Sequence, residues 1–171
     1  MSALMEHRFT RDDNLYEDFK VGETIVHPRG RTVSDEHMMW TNFVLNTAQL
    51  HFNQKMCDDH PEVTFNGRRV VYGGIVFAFV AGLASEETEE IALAHLSYDE
   101  GRHLTPVFAG DSLFAESTVL SRTEDDARLS GLAKPGQAGV VKFLLRGKNQ
   151  KGDVVLEITR ELAILKKDFR P

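Results

Sequence analysis

The sequence predicts one α+β domain in which an antiparallel sheet wraps around a single hydrophobic helix. Three observations point to it. The ten residues from Ile75 to Ala84 are apolar on every side, which for a helix means burial all round. Four strand-like runs follow with no helical pattern between them: Ile91 to Tyr98, Ser112 to Ser121, Ala138 to Arg146 and Asp153 to Leu165. One interrupted strand and one amphipathic helix come before.

The 171 residues suit one domain, large enough to bury a core without disulfides or metal. Residues 1–15 read as a polar N-terminal segment and 16–171 as the domain. A net charge of -6 argues against nucleic acid or an anionic membrane as the main partner. The single cysteine, Cys57, excludes an intrachain disulfide and fits a reducing cytoplasm. Asp58, Asp59 and His60 beside it match no zinc spacing, so no metal is expected. The N-terminal residues carry no secretory pattern, and the longest apolar run is too short to span a bilayer.

Taken in order, Tyr16 to Glu23 is a turn leading into a strand from Thr24 to Val33, which Pro28 and Gly30 make an edge or bulged strand. Ser34 offers a helix N-cap, with Asp35 and Glu36 in the first turn. Met39, Trp40, Phe43, Val44 and Thr47 follow the spacing of one buried face, predicting a helix to Asn46. Asn53 to Arg69 is a polar loop with room for one short helix and a turn at Asn66-Gly67. The apolar helix then opens at Gly73-Gly74 and ends by Ser85, before a solvated acidic boundary from Glu86 to Glu90. An antiparallel sheet curled around such a helix is the arrangement called a hotdog.

Two features suit catalysis. His51 follows the amphipathic helix and stands at an element end, where an imidazole can do acid–base chemistry; a surface or capping role is the alternative. Tyr72-Gly73-Gly74 would present backbone amides at a helix N-terminus, where an oxyanion can be held. The same glycines would also permit close helix packing. Arg102 and His103, just after a strand, would reach a phosphate or carboxylate or else form a solvated strand end, and Arg68 and Arg69 read the same way. The sequence lacks a G-x-S-x-G elbow, an H-E-x-x-H pair, a G-x-G-x-x-G turn and a P-loop, so no organic cofactor is indicated.

Tyr16 to Gly22, Asn46 to Asn53, Val71-Tyr72-Gly73-Gly74 and Pro106 to Asp111 together resemble the MaoC-like acyl dehydratases, among them (R)-specific enoyl-CoA hydratases and, closer in pattern, mesaconyl-CoA hydratases. The resemblance implies a hotdog fold, a homodimer or higher homo-oligomer, an acyl-CoA substrate and hydration or dehydration of a 2-enoyl-CoA. It places His51 at the family's catalytic histidine and Gly74 at the glycine whose amide polarises the thioester carbonyl, with Tyr72 where many hydratases carry His; Tyr72 and Gly73 are then expected on the substrate, as Arg102 and His103 are from their place beside the Pro106 turn. The family's acid, five residues before that histidine, falls on Asn46, which can hold a water or orient the imidazole but cannot transfer a proton. A hotdog thioesterase and a non-catalytic acyl-CoA-binding protein remain the alternatives.

Overall fold

The computed structural model describes residues 10–44 and 47–170, so Asn46 lies outside the described residues. Strand β1 (Thr24–Thr32) is followed by helices α1 (Asp35–Phe43), α2 (Gln54–Asp59) and α3 (Gly73–Thr88), then by β2 (Ala92–His103), β3 (Ser112–Thr123), β4 (Ala138–Lys148) and β5 (Val154–Leu165). The five strands form one antiparallel sheet in the order β1-β3-β4-β5-β2. This is a hotdog, with α3 lying in the curve of the sheet.

The expected breaks in β1 are real. Its register against β3 shifts between Val26 and Gly30, and the strand is an edge, where the lost amide of Pro28 leaves no ladder bond unmade. The helix packs on the sheet through Ile75, Val76, Val80 and Leu83, against Leu113, Ala115, Leu145 and Val155. Helix and sheet approach closely at Gly147 of β4, where a side-chain methyl would overlap Val80. Tyr16 and Phe19 close one end of this core against Phe143 and Leu162.

Several expectations are corrected. The apolar helix is not buried all round, since Gly74, Ala78 and Gly82 form an open stripe along it. It also runs past Ser85 to Thr88, because its acidic end is not a solvated boundary. Glu87 is buried, with Oε2 accepting from His27 Nδ1–H at 2.8 Å, while His27 Nε2 lies 2.9 Å from the hydroxyl of Ser117. Oε1 of Glu87 makes no hydrogen bond and faces Arg29 at 3.6 Å and Arg11 at 4.0 Å. Glu89 pairs with Arg160, which is fully buried and also donates to Thr88 Oγ1 at 2.7 Å. Basic partners on the sheet therefore replace solvent and hold the acidic turn in the helix.

Helix α1 stops at Phe43, short of Asn46, and its expected buried face is turned outward: Met39, Trp40, Phe43 and Val44 are all exposed. Among the described side chains of α1, His37 is buried instead. That ring meets Phe79 edge-on at 4.7 Å, and its Nδ1 accepts from the Ser34 amide at 2.8 Å in place of an acidic capping residue. Strand β2 runs five residues beyond Tyr98, so Arg102 and His103 end a strand and do not follow one. Residues 10–15 lie along the end of α3, where the Asn14 amide donates to the Glu86 carbonyl at 3.1 Å. Among the described residues no helix is long and apolar enough to cross a membrane.

Candidate active site

His51 is the last residue of a single 3-10 turn, Gln49–His51, set between α1 and α2. The turn is tied to α2, since the Asn53 amide donates to the Gln49 carbonyl at 2.8 Å and the Asn53 side chain caps α2 by accepting from the Met56 amide. The imidazole is oriented by the backbone. Nδ1 lies 2.9 Å from the carbonyl oxygen of Val70, which can only accept, so Nδ1 carries the proton and Nε2 keeps its lone pair. A neutral imidazole fixed in this tautomer is arranged as a base.

Val70 belongs to the segment that leads into α3. Val71 donates to the Val107 carbonyl at 2.8 Å, anchoring that segment beside the Pro106 turn. The first α3 amides to find helical partners are those of Ile75 and Val76, both on the Tyr72 carbonyl. The amides of Gly73 and Gly74 are thus left among the open donors of the first turn, at its positive end. The Tyr72 ring folds back over Gly74, where a Cβ would stand 2.5 Å from it, and its centroid lies 5.5 Å from that of the His51 ring. Helix start, Tyr72 and His51 are thereby in one place.

A cavity of about 420 Å³ opens there, lined by His51, Gly73 and His103 and walled by Phe65, Val76 and Val107 among others. His103 presents its ring against Gly73. Although the residue is exposed, desolvation of the ring pushes its pKa below the usual imidazole range. Arg102 is not brought to the cavity. As its neighbour on a pleated strand it points the other way, 3.6 Å from Glu157, which also accepts from Arg146 at 2.7 Å. Arg69 is engaged by Asp35 and Gln54, and Arg68 stacks on the Phe108 ring at 3.6 Å, both beside a separate shallow cleft.

Two contributors carried no readable signal in the sequence. The Val70 carbonyl is a backbone group, and nothing in residue type announces that it meets an imidazole nineteen residues earlier. Phe65 forms part of the cavity wall from a run of three left-handed residues, with φ of 42° at Phe65, 58° at Asn66 and 79° at Gly67. Asn66-Gly67 announces the turn, but not that an aromatic ring would begin it.

The arrangement sets a base, the His51 imidazole, beside the open amides at the start of α3, where negative charge on an oxygen could be held. Comparison with known proteins identifies the family. The sequence profile of the mesaconyl-CoA hydratases matches residues 10–166. A mesaconyl-CoA hydratase from Cereibacter sphaeroides is 34% identical over 160 residues, and a beta-methylmalyl-CoA dehydratase from Chloroflexus aurantiacus is 30% identical over 165. Each match covers 93% of this chain but only 43% and 42% of the relative, so the chain spans less than half the length of these relatives. A Mycobacterium tuberculosis protein with a double hotdog fold superposes with a TM-score of 0.75 at 20% identity, over 92% of this chain and 46% of that one. With its profile matched over nearly all its length and its hotdog sheet closed around α3, the chain belongs to the mesaconyl-CoA hydratase family.

Proposed function

We propose that this protein reversibly hydrates a 2-enoyl-CoA thioester, with a branched or dicarboxylic acyl group such as mesaconyl as its substrate class. The observation that carries the reading is the Val70 carbonyl on His51 Nδ1, which leaves Nε2 as a free base facing a cavity at the N-terminus of α3. His51 Nε2 takes a proton from water, the oxygen bonds C3, and the double-bond electrons move onto the thioester oxygen. The Gly74 amide, with that of Gly73 beside it, hydrogen-bonds the resulting enolate oxygen. The enolate then collapses and takes the proton from His51 at C2. Water, imidazole and amides supply every group this needs, so the reading requires no metal or organic cofactor.

Asn46, at the position of the family's acid, would hold the attacking water without titrating. Tyr72 would pack on the acyl thioester. Arg102 would meet the CoA phosphates only if its bond to Glu157 opened. A homodimer or higher homo-oligomer is part of the same proposal, since a single five-stranded sheet leaves an edge and a helix stripe uncovered. The open edge of β2 and the uncovered stripe of α3 are the surfaces a second copy would close. The cytoplasm is the proposed compartment, where CoA thioesters and a reduced Cys57 are both at home.

The test mixes the purified protein with mesaconyl-CoA and follows the enoyl absorbance and free thiol together. Loss of absorbance without thiol release is expected. Thiol release would make the protein a thioesterase, and binding without either change would make it an acyl-CoA-binding protein.

A further inference from the structure

His103 is a site group whose task the reading above leaves open. It ends β2 with its ring laid on the first turn of α3, so close that a Cβ on Gly73 would stand 2.6 Å from its Nε2 and 3.0 Å from its Cε1. Gly73 thus admits an imidazole to the helix start. The ring lines the same cavity as His51. Among the described residues it makes no hydrogen bond or ion pair, so both its nitrogens are free for a ligand.

Two roles are open to such a group. Reading a carboxylate on the substrate would need the charged imidazolium, and both burial against Gly73 and the positive end of α3 oppose that charge. No acidic side chain lines the cavity to offset them. A neutral ring packed on Gly73 instead keeps one N–H as a donor, beside the open amides of the helix start.

We propose that His103 is a second catalytic imidazole, whose Nε2–H donates to the thioester oxygen beside the Gly73 and Gly74 amides and stabilises the enolate formed on hydration. This rests on the hydratase reading. His103 keeps its proton throughout, while the proton moved between water and C2 travels on His51. The cavity therefore divides the labour between two imidazoles, one fixed as a base by the Val70 carbonyl and one held as a donor by the helix start.

The test compares wild type with His103→Phe and His103→Gln on mesaconyl-CoA, with circular dichroism melts of each. Loss of one oxyanion donor is worth roughly 100-fold to 1,000-fold in kcat, so His103→Phe should fall by that much with KM changed by less than about threefold. His103→Gln keeps an N–H donor and should recover at least about tenfold over His103→Phe. If His103→Phe does not fold, His103→Met takes its place as the variant without a donor. A donor-free variant with wild-type kcat would overturn the proposal. So would a rise confined to KM that disappears with crotonyl-CoA, which lacks the second carboxylate, because His103 would then read the acyl group. Wild-type protein that hydrates neither substrate would instead overturn the hydratase reading itself.

Discussion

Glu87 is the residue whose removal should damage the fold most for its size. It sits in the last turn of α3, 5% exposed, and its Oε2 accepts from His27 Nδ1–H at 2.8 Å. His27 is 2% exposed and Ser117 not at all, so the donor that faces the carboxylate lies away from solvent. Glu87→Ala leaves the His27 donor buried and unpaired, and it leaves Arg29 and Arg11 without the charge that faces them at 3.6 and 4.0 Å. Leaving a buried donor unpaired costs about 1 to 3 kcal/mol, and the side-chain methylenes taken from the core add about 1 more. For a chain of this size each kcal/mol moves Tm by roughly 2 to 4 °C, so a fall of ~4 to 16 °C is expected by calorimetry or circular dichroism. Glu87→Gln keeps an acceptor for His27 and loses only the charge assistance, a difference of about 1 kcal/mol. A Glu87→Ala protein within about 1 kcal/mol of wild type would refute the reasoning and show that the acidic turn is solvated after all.

Other outcomes follow from the same geometry. Gly147→Ala forces a methyl into Val80 between helix and sheet, and should destabilise by about 1 to 3 kcal/mol in urea melts. Burial holds the His27 pKa below its ordinary value, with Glu87 only partly opposing this, so the unfolded chain binds the proton more readily. Stability should therefore be steady above about pH 6.5 and decline as pH falls below it. A His27→Asn protein should lose that part of the slope, and an unchanged slope would assign it elsewhere. Asn46→Asp restores the acid of the family motif, and should add an acidic limb to the pH profile of kcat/KM. If rate and profile are both untouched, position 46 is not in the site.

The fold was legible because its signals are redundant. Ile75 to Ala84 is too apolar for any surface element, and the four runs after it are separated by unambiguous turn residues such as Ala109-Gly110-Asp111. Charge and partial exposure are less legible. Glu86 to Glu90 looks like a helix stop because the residues that hold it, His27, Arg29 and Arg160, come from β1 and β5 and lie far off in sequence. Met39 to Val44 has helical spacing, but periodicity says only that one face is apolar, not that the same chain covers it. At the site, residue type points to His51 and Gly73-Gly74; the structure sets the Tyr72 ring against His51 and Gly74, while His51 and Gly73 line the cavity. The neighbours Arg102 and His103 were indistinguishable in sequence. Strand pleating sends one to Glu157 and the other to the cavity, and that depended on β2 continuing as far as His103.

The central claim is that His51, held by the Val70 carbonyl, is the base of a 2-enoyl-CoA hydratase. It is tested most directly by measuring kcat for mesaconyl-CoA hydration with wild type and His51→Ala side by side. Because His51 ends a surface turn and not a core element, the variant should keep its circular dichroism spectrum and melt while kcat falls ~100-fold or more. A folded His51→Ala protein that retains more than about a tenth of the wild-type kcat would contradict the account.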